Sequence, residues 1–135
     1  MAPAKLVVWK EEYSVGSAFI DDEHRRIVDI LNDLFNVIRD GKADAALREI
    51  LARLADYTVT HFRDEEELMA RCNYPGLDAQ KKAHDFMRAR TRQMAFAGSL
   101  GEGDARRLME AVKEWWMGHI LEMDRQCRPY FVARR

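Results

Sequence analysis

The sequence contains few of the residues that break or cross-link a chain. Seven glycines and three prolines in 135 residues are too few for a disordered chain or for a β architecture with many turns. The two cysteines, Cys72 and Cys127, form no CxxC pair, and we expect both to be free thiols. These features favour a single globular domain that spans residues 1–135.

Long apolar runs and an excess of charge of one sign are also absent. No run approaches the roughly 20 apolar residues that cross a bilayer, so we expect no membrane association. The first residues, Met1–Leu6, lack the charged and then apolar pattern of a signal peptide, which predicts a cytoplasmic protein. The 22 basic and 23 acidic residues nearly balance, so the sequence gives no broad electrostatic reason to bind nucleic acid.

Turn signals divide the chain into an N-terminal arm and four amphipathic segments. The signals are Asp40–Lys42, Asn73–Gly76, Gly98–Gly103 and, at the end of the last segment, Pro129. Within each segment apolar residues recur every three or four positions, and no segment alternates with the period of a strand. Four such helices with short connections predict an all-α, up-down-up-down four-helix bundle. We place the non-helical arm at 1–18 and the helices at about 19–40, 43–72, 76–97 and 103–127.

The chain has four histidines, and one falls on each predicted helix. Each stands three, four or seven residues from apolar residues of its own helix, so each is predicted to point inward. A single inward histidine is most often a hydrogen-bonded core residue, but four that converge in one bundle point to a shared site. These histidines are His24, His61, His84 and His119.

Two carboxylates accompany the histidines. Glu65 follows His61 by four residues, one turn along the same face, where an unpaired carboxylate is costly to bury. Asp124 follows His119 by five residues and points inward only if the helix ends there or widens into a π-turn, which is often a feature of functional sites. The neighbouring acids are predicted to form a solvated face; they are Asp64, Glu66 and Glu67.

This donor set predicts a metal site. Mixed nitrogen and oxygen donors suit iron, zinc or manganese, and two carboxylates able to bridge favour a pair of ions. Neither cysteine stands at ligand spacing from the histidines, which argues against a thiolate zinc site, and no CxxCH is present to attach haem. The Glu-x-x-His pairs of ferritin-like di-iron bundles are missing as well.

The arrangement resembles the hemerythrin family in its single-domain bacterial form. The resemblance extends from about Trp9 to Tyr130 and includes Tyr13 and Gly16 in the arm. The segment Ile20–His24 is similar to the family's first histidine motif. The pattern HFxxEExxM over 61–69 and HxxxxD over 119–124 are the most specific matches, with Tyr74-Pro75 and His84 between them.

The resemblance implies two non-haem iron ions, joined by an oxo or hydroxo bridge, that bind O2 reversibly. It implies that His24 and His61 bind the iron that takes O2, that His84 and His119 bind the other iron, and that Glu65 and Asp124 bridge the two. Five apolar residues close to these ligands in sequence would wall the O2 pocket, and they would also serve as ordinary core; they are Ile27, Phe62, Trp115, Trp116 and Ile120.

One position departs from the family pattern. Gln80 stands five residues after Pro75 and four before His84, where the family has a further histidine. Its amide oxygen is a weaker iron ligand than imidazole. Three interpretations follow: Gln80 binds iron weakly, it hydrogen-bonds a water that fills the position, or the second iron is poorly held.

Three functions remain open from the sequence. The first is an O2 carrier, store or sensor, with O2 as its partner. The second is a di-iron oxidase or peroxidase, or a protein that handles NO or peroxide, made possible by an open position beside Gln80. The third is a bundle with another metal or none that serves as an interaction module.

Overall fold

The structure, a computed structural model, describes residues 3–41, 44–95 and 102–134, with the backbone alone for 102–104 and 134. Four helices form the bundle: α1 (Ala18–Arg39), α2 (Asp44–Arg71), α3 (Leu77–Ala95) and α4 (Glu102–Gly118). Helix α1 packs against α2 and α4, and α2 packs against α3, as in the predicted up-down-up-down bundle. No β-strand occurs in these ranges, and none of their helices is long and apolar enough to cross a membrane.

The last helix is longer and less regular than predicted. After α4 the chain forms a π-helical turn at His119–Met123, a 3-10 turn at Asp124–Cys127 and a short helix α5 at Arg128–Arg134. The prediction that Pro129 ends the helical segment is wrong, because proline is tolerated in the first turn of a helix, where its missing N–H leaves no bond unmade. The predicted turn at Gly98–Gly103 lies mostly outside the described residues.

Local sequence explains where α1 begins, how α2 ends and how the turn before α3 is packed. Ser17 caps α1, since its Oγ accepts a hydrogen bond from the Ile20 backbone N–H at 3.3 Å. Helix α2 closes with a Schellman motif: Asn73 has a positive φ of 54°, and the Tyr74 N–H bonds to the Met69 carbonyl at 2.9 Å. Gly76 then lets the Tyr74 ring pack against the backbone, because a Cβ there would lie 2.7 Å from the ring.

The N-terminal arm runs antiparallel to α1 along its side. The Asn32 side chain accepts from the backbone N–H groups of Leu6 and Val7, at 2.8 and 2.9 Å, and Asn36 bonds in the same way to Ala4. The arm is not wholly irregular, because it includes a 3-10 turn at Glu11–Tyr13. Its apolar side chains pack on the larger core cluster and so cover the side of the bundle; they are Leu6, Val7, Trp9 and Tyr13.

The core consists of two apolar clusters. The larger one fills most of the bundle and includes Leu31, Leu54 and Trp116. The smaller one lies where the arm, the end of α2 and α5 meet, and it contains Val15, Ile20, Met69, Cys127 and Phe131. Along α1 and α2, polar residues separate the two clusters. Both cysteines are free, as predicted.

Candidate metal centre

The four histidines meet inside the bundle. The side chains of His24, His61 and His84 are fully buried, and that of His119 is 3% exposed. The rings form two neighbouring pairs, with centroids 4.8 Å apart for His24 and His61 and 4.9 Å apart for His84 and His119. Helices α1, α2 and α3 and the π-helical turn after α4 thus each contribute one imidazole to the same interior space.

Glu65 lies between the two histidine pairs and is itself fully buried. Its Oε2 is 3.1 Å from His24 Nε2 and 3.4 Å from His61 Nε2. Its other oxygen, Oε1, is 3.0 Å from His84 Nε2 and 3.9 Å from His119 Nε2. One carboxylate therefore presents one oxygen to each pair.

Asp124 divides its oxygens in the same way. Oδ2 lies 3.2 Å from His24 Nε2, and Oδ1 lies 3.0 Å from His119 Nε2. The π-helical turn at His119–Met123 brings Asp124 to the interior, as the sequence predicted for a helix that widens. Two overlapping groups result, in which one donor atom from each residue lies within 4.8 Å of the others: His24, His61, Glu65 and Asp124, and Glu65, His84, His119 and Asp124.

Two further carboxylates hold the outer nitrogens of the rings. Glu23 Oε1 lies 2.9 Å from His61 Nδ1, and Glu66 Oε2 lies 2.7 Å from His84 Nδ1. A carboxylate at Nδ1 fixes the orientation of an imidazole and directs its Nε2 toward a metal. The prediction that Glu66 belongs to a solvated face is wrong, because the adjacent helix α3 brings His84 against it.

Gln80 is buried beside the second histidine pair. Its Nε2 donates to Asp124 Oδ1 at 3.2 Å and approaches Cys127 Sγ at 3.9 Å. Its Oε1 is buried and has no hydrogen-bond partner among the described residues. The amide thus contacts one of the shared carboxylates and leaves one oxygen unused.

Burial and ion pairing change the pKa values of the site residues in opposite directions, and ion pairing has the larger effect. Burial lowers the pKa of His61, but the Glu65 charge and the hydrogen bond to Glu23 raise it to about 9. For His119, burial is likewise outweighed by Asp124, and the pKa rises to about 10. Burial raises the pKa of Glu65, yet His61 and the other histidines hold it well below its usual value. In the metal-free site these groups therefore pair as imidazolium and carboxylate.

The residues fit a pair of metal ions. Buried polar atoms normally have hydrogen-bond partners, but His61 Nε2 and Asp124 Oδ2 make no hydrogen bond within the described ranges, although they lie 3.4 Å from Glu65 and 3.2 Å from His24. Both atoms belong to the donor groups given above. Imidazole nitrogen and carboxylate oxygen together suit iron, zinc or manganese, so the donor chemistry and the unsatisfied atoms agree.

Apolar side chains surround the donors. Phe62 stacks on His84, with centroids 3.9 Å apart, and on Trp116 at 5.3 Å. Ile27 and Ile120 are fully buried in the same core cluster. Trp115 does not belong to this wall: it is half-buried, and its ring packs edge-on against the exposed Phe86 at 6.1 Å. Adjacent helical residues point about 100° apart, so Trp115 faces outward when Trp116 faces inward.

Comparison with known proteins supports a metal site in this chain. The chain matches the family model described as the Hemerythrin HHE cation binding domain over residues 15–131. It is 34% identical over 115 residues to a bacteriohemerythrin of Stenotrophomonas maltophilia, covering 85% of this chain and 74% of that protein. It is 29% identical over 118 residues to a myohemerythrin of Sipunculus nudus, covering 87% of each. A crystal structure of wild-type hemerythrin superposes with a TM-score of 0.79 at 26% identity, covering 95% of this chain and 99% of that one. The chain therefore belongs to the hemerythrin family.

Proposed function

We propose that this protein is a non-haem di-iron protein that binds O2 and acts as a carrier, store or sensor. The observation that carries the proposal is the division of the Glu65 and Asp124 oxygens between two histidine pairs. Two carboxylates placed in this way can join two metal ions, whereas a single ion would use only one histidine pair and one oxygen of each carboxylate. Membership of the hemerythrin family selects iron among the metals that suit these donors.

The ligands divide into two sets. His24 and His61 would hold the iron that takes O2, His84 and His119 would hold the other, and Glu65 and Asp124 would serve both. When bound, the iron pair supplies the electrons that reversible O2 binding requires. The chain supplies the positions of the donors and buries them among apolar side chains.

The outer carboxylates orient the rings. When the Nδ1–H of His61 donates a hydrogen bond to Glu23, the lone pair of Nε2 is left facing the centre. Glu66 does the same for His84 on the other side. Glu23 on α1 contacts His61 on α2, and Glu66 on α2 contacts His84 on α3. These two contacts therefore also hold together the helices that carry the donors.

The aromatic wall protects the bound state. Phe62 and Trp116 are at most 1% exposed and stack beside the histidines, and the fully buried Ile120 adjoins His119 in sequence. An apolar wall excludes water and slows the escape of charged species from the site. This protection is what distinguishes O2 binding from O2 consumption.

The test joins metal analysis to visible spectroscopy. The protein is reconstituted with ferrous iron under nitrogen, its iron per chain is measured, and its spectrum is recorded before air, after air and after renewed deoxygenation. We expect two irons per chain and a visible band that appears with O2 and disappears when O2 is removed. A protein that stays metal-free after reconstitution would refute the proposal.

A second candidate function rests on Gln80. Its amide bonds to Asp124 and keeps a buried, unused oxygen, so the second iron would have two histidines and an exchangeable position. Such a position favours an oxidase or peroxidase, or a protein that handles NO or peroxide. In the same experiment, immediate conversion to a stable diferric spectrum, with consumption of added peroxide, would support this candidate over O2 binding.

We also propose a cytoplasmic location. The free thiols of Cys72 and Cys127 support it, because reducing compartments preserve unpaired cysteines. Fractionation of the cells that produce the protein is the direct measurement, and recovery outside the cytoplasm would refute this location.

A further inference from the structure

The metal centre approaches the protein surface at one of its ligands. Of the donors in the two groups, only the His119 side chain is more than 1% exposed. It lines an open depression of about 330 Å³ between α3 and the end of α4. No other donor residue lines this depression, so it is a distinct approach to the centre rather than part of the ligand set.

Two aromatic rings frame the depression. Phe86 on α3 is 52% exposed, and Trp115 on α4 packs edge-on against it with an interplanar angle of 72°. Ala83, Met87 and Met123 complete the apolar lining. A contiguous apolar patch beside a functional group marks an interaction site more often than a single exposed apolar residue does. The Arg90 guanidinium lies 5.2 Å from the centroid of the Phe86 ring.

Gly118 lines the depression and presents no side chain to it. Its backbone is ordinary α-helix, with φ −61° and ψ −45°, so no strained conformation requires glycine. A Cβ built at this position meets nothing within 4 Å. Glycine within a helix costs about 1 kcal/mol relative to alanine. The missing side chain therefore has a local cost, and its structural effect is to leave the depression unfilled next to His119.

The charge of the lining selects the kind of partner. Glu114 and Glu122 are exposed and line the depression, whereas no lysine or arginine lines it in the described part of the chain. Carboxylates around an apolar contact attract a partner with a basic rim and increase its rate of association. These charges do not attract a neutral molecule such as O2, but they do attract a basic protein.

We propose that this depression is the docking surface for a one-electron carrier protein whose redox group lies at an exposed edge ringed by lysines. The inference rests on the proposed function, because electrons are needed only where O2 has left the irons oxidised. Two reduced carriers each give up one electron and leave oxidised by one electron. Together the two electrons convert a diferric pair to the diferrous pair. His119 is the part of the centre closest to the docked carrier.

The first test measures binding without electron transfer. Ferric horse cytochrome c, a basic protein with an exposed haem edge, is titrated into the iron-loaded, oxidised protein, and binding is followed by calorimetry and by NMR shifts. We expect binding that weakens as ionic strength rises. The double variant Glu114→Gln, Glu122→Gln should weaken it about tenfold. The matched control, Glu49→Gln with Asp56→Asn, removes the same charge from exposed positions on α2 and should leave it unchanged.

The second test measures electron transfer across the same surface. The reduced protein is mixed anaerobically with ferric cytochrome c, and the appearance of the ferrous form is timed. Gly118→Leu places a side chain in the depression and should slow the reaction about tenfold, as should the Glu114 and Glu122 double variant. If Gly118→Leu does not fold, the double variant alone decides.

The outcomes separate this inference from the proposed function. Iron content and the response to O2 are measured on the same samples, and we expect all variants to match the parent protein in both. If the parent loads iron and binds O2 but cytochrome c binds all variants equally, the docking inference is wrong and the proposed function stands. Self-association of the parent that is abolished by Gly118→Leu would also overturn it, because a second copy of the chain would then occupy the depression.

Discussion

Asp124 Oδ1 lies 3.0 Å from His119 Nε2, although five residues separate the two in the chain. In a regular α-helix this offset would turn the second side chain about 140° from the first. The wider π-helical turn at His119–Met123 brings the two side chains to the same face. Within this turn the Asp124 backbone N–H bonds to the carbonyl oxygens of His119 and Ile120. A local departure from α-helical geometry therefore supplies one of the two shared carboxylates.

Replacement of Glu65 by alanine should reduce iron retention. Glu65 is fully buried and contacts both histidine pairs, so its loss removes a donor from each metal position. Because metal binding contributes to folding free energy, the rise in melting temperature on iron loading should also shrink. Thermal melts with and without iron measure the effect. Glu67→Ala, on the exposed side of the same helix turn, is the control, and equal iron content in the two variants would contradict the prediction.

Phe62→Ala should destabilise the protein by about 3–5 kcal/mol, because it leaves a cavity in a closely packed region. Phe62 is fully buried between His84 and Trp116. Chemical denaturation gives the free energy of unfolding. Phe86→Ala, at a position that is 52% exposed, is the matched control and should change that energy much less. Equal losses for the two variants would show that Phe62 is not a core residue.

Gln80→His should slow iron loss and slow autoxidation. An imidazole is a stronger iron ligand than an amide, and position 80 already faces Asp124 beside the second histidine pair. Transfer of iron to a chelator and the decay of the O2-dependent visible band are the two measurements. Gln80→Ala, which removes the amide without adding a ligand, is the comparison. If Gln80→His behaves as the parent protein does in both assays, position 80 has no contact with the metal.

The stability of the metal-free protein should fall as pH rises above neutrality. Burial lowers the pKa of His61, but Glu65 and Glu23 raise it from 6.5 to about 9 in the folded protein. A raised pKa contributes stability that is complete below pH 6.5 and is lost as pH passes through about 9. In the loaded protein the His61 Nε2 has no proton to lose, so the difference in melting temperature between loaded and metal-free forms should widen over this range. Melts at several pH values test this, and a constant difference would contradict it.

Much of the fold and the candidate site follows from periodicity within single helices. The apolar stripes predict the bundle, and the offsets of His24 and His61 from their neighbours predict their inward direction. The same rule should have excluded Trp115 from the interior, since it adjoins Trp116. The contacts of Glu23 and Glu66 could not be predicted in this way, because they reach histidines 38 and 18 residues away on other helices. Such contacts depend on how each helix is rotated against its neighbour, which no pattern within one helix determines.

The antiparallel path of the arm fixes where the two termini leave the bundle. Ala4 lies beside Asn36, near the end of α1, whereas Val132 lies against Gly16, near its beginning. The helical residues from Ala18 to Asn36 span about 28 Å. Domains fused to the two termini would therefore begin at opposite ends of α1, and a short linker could not bring them side by side.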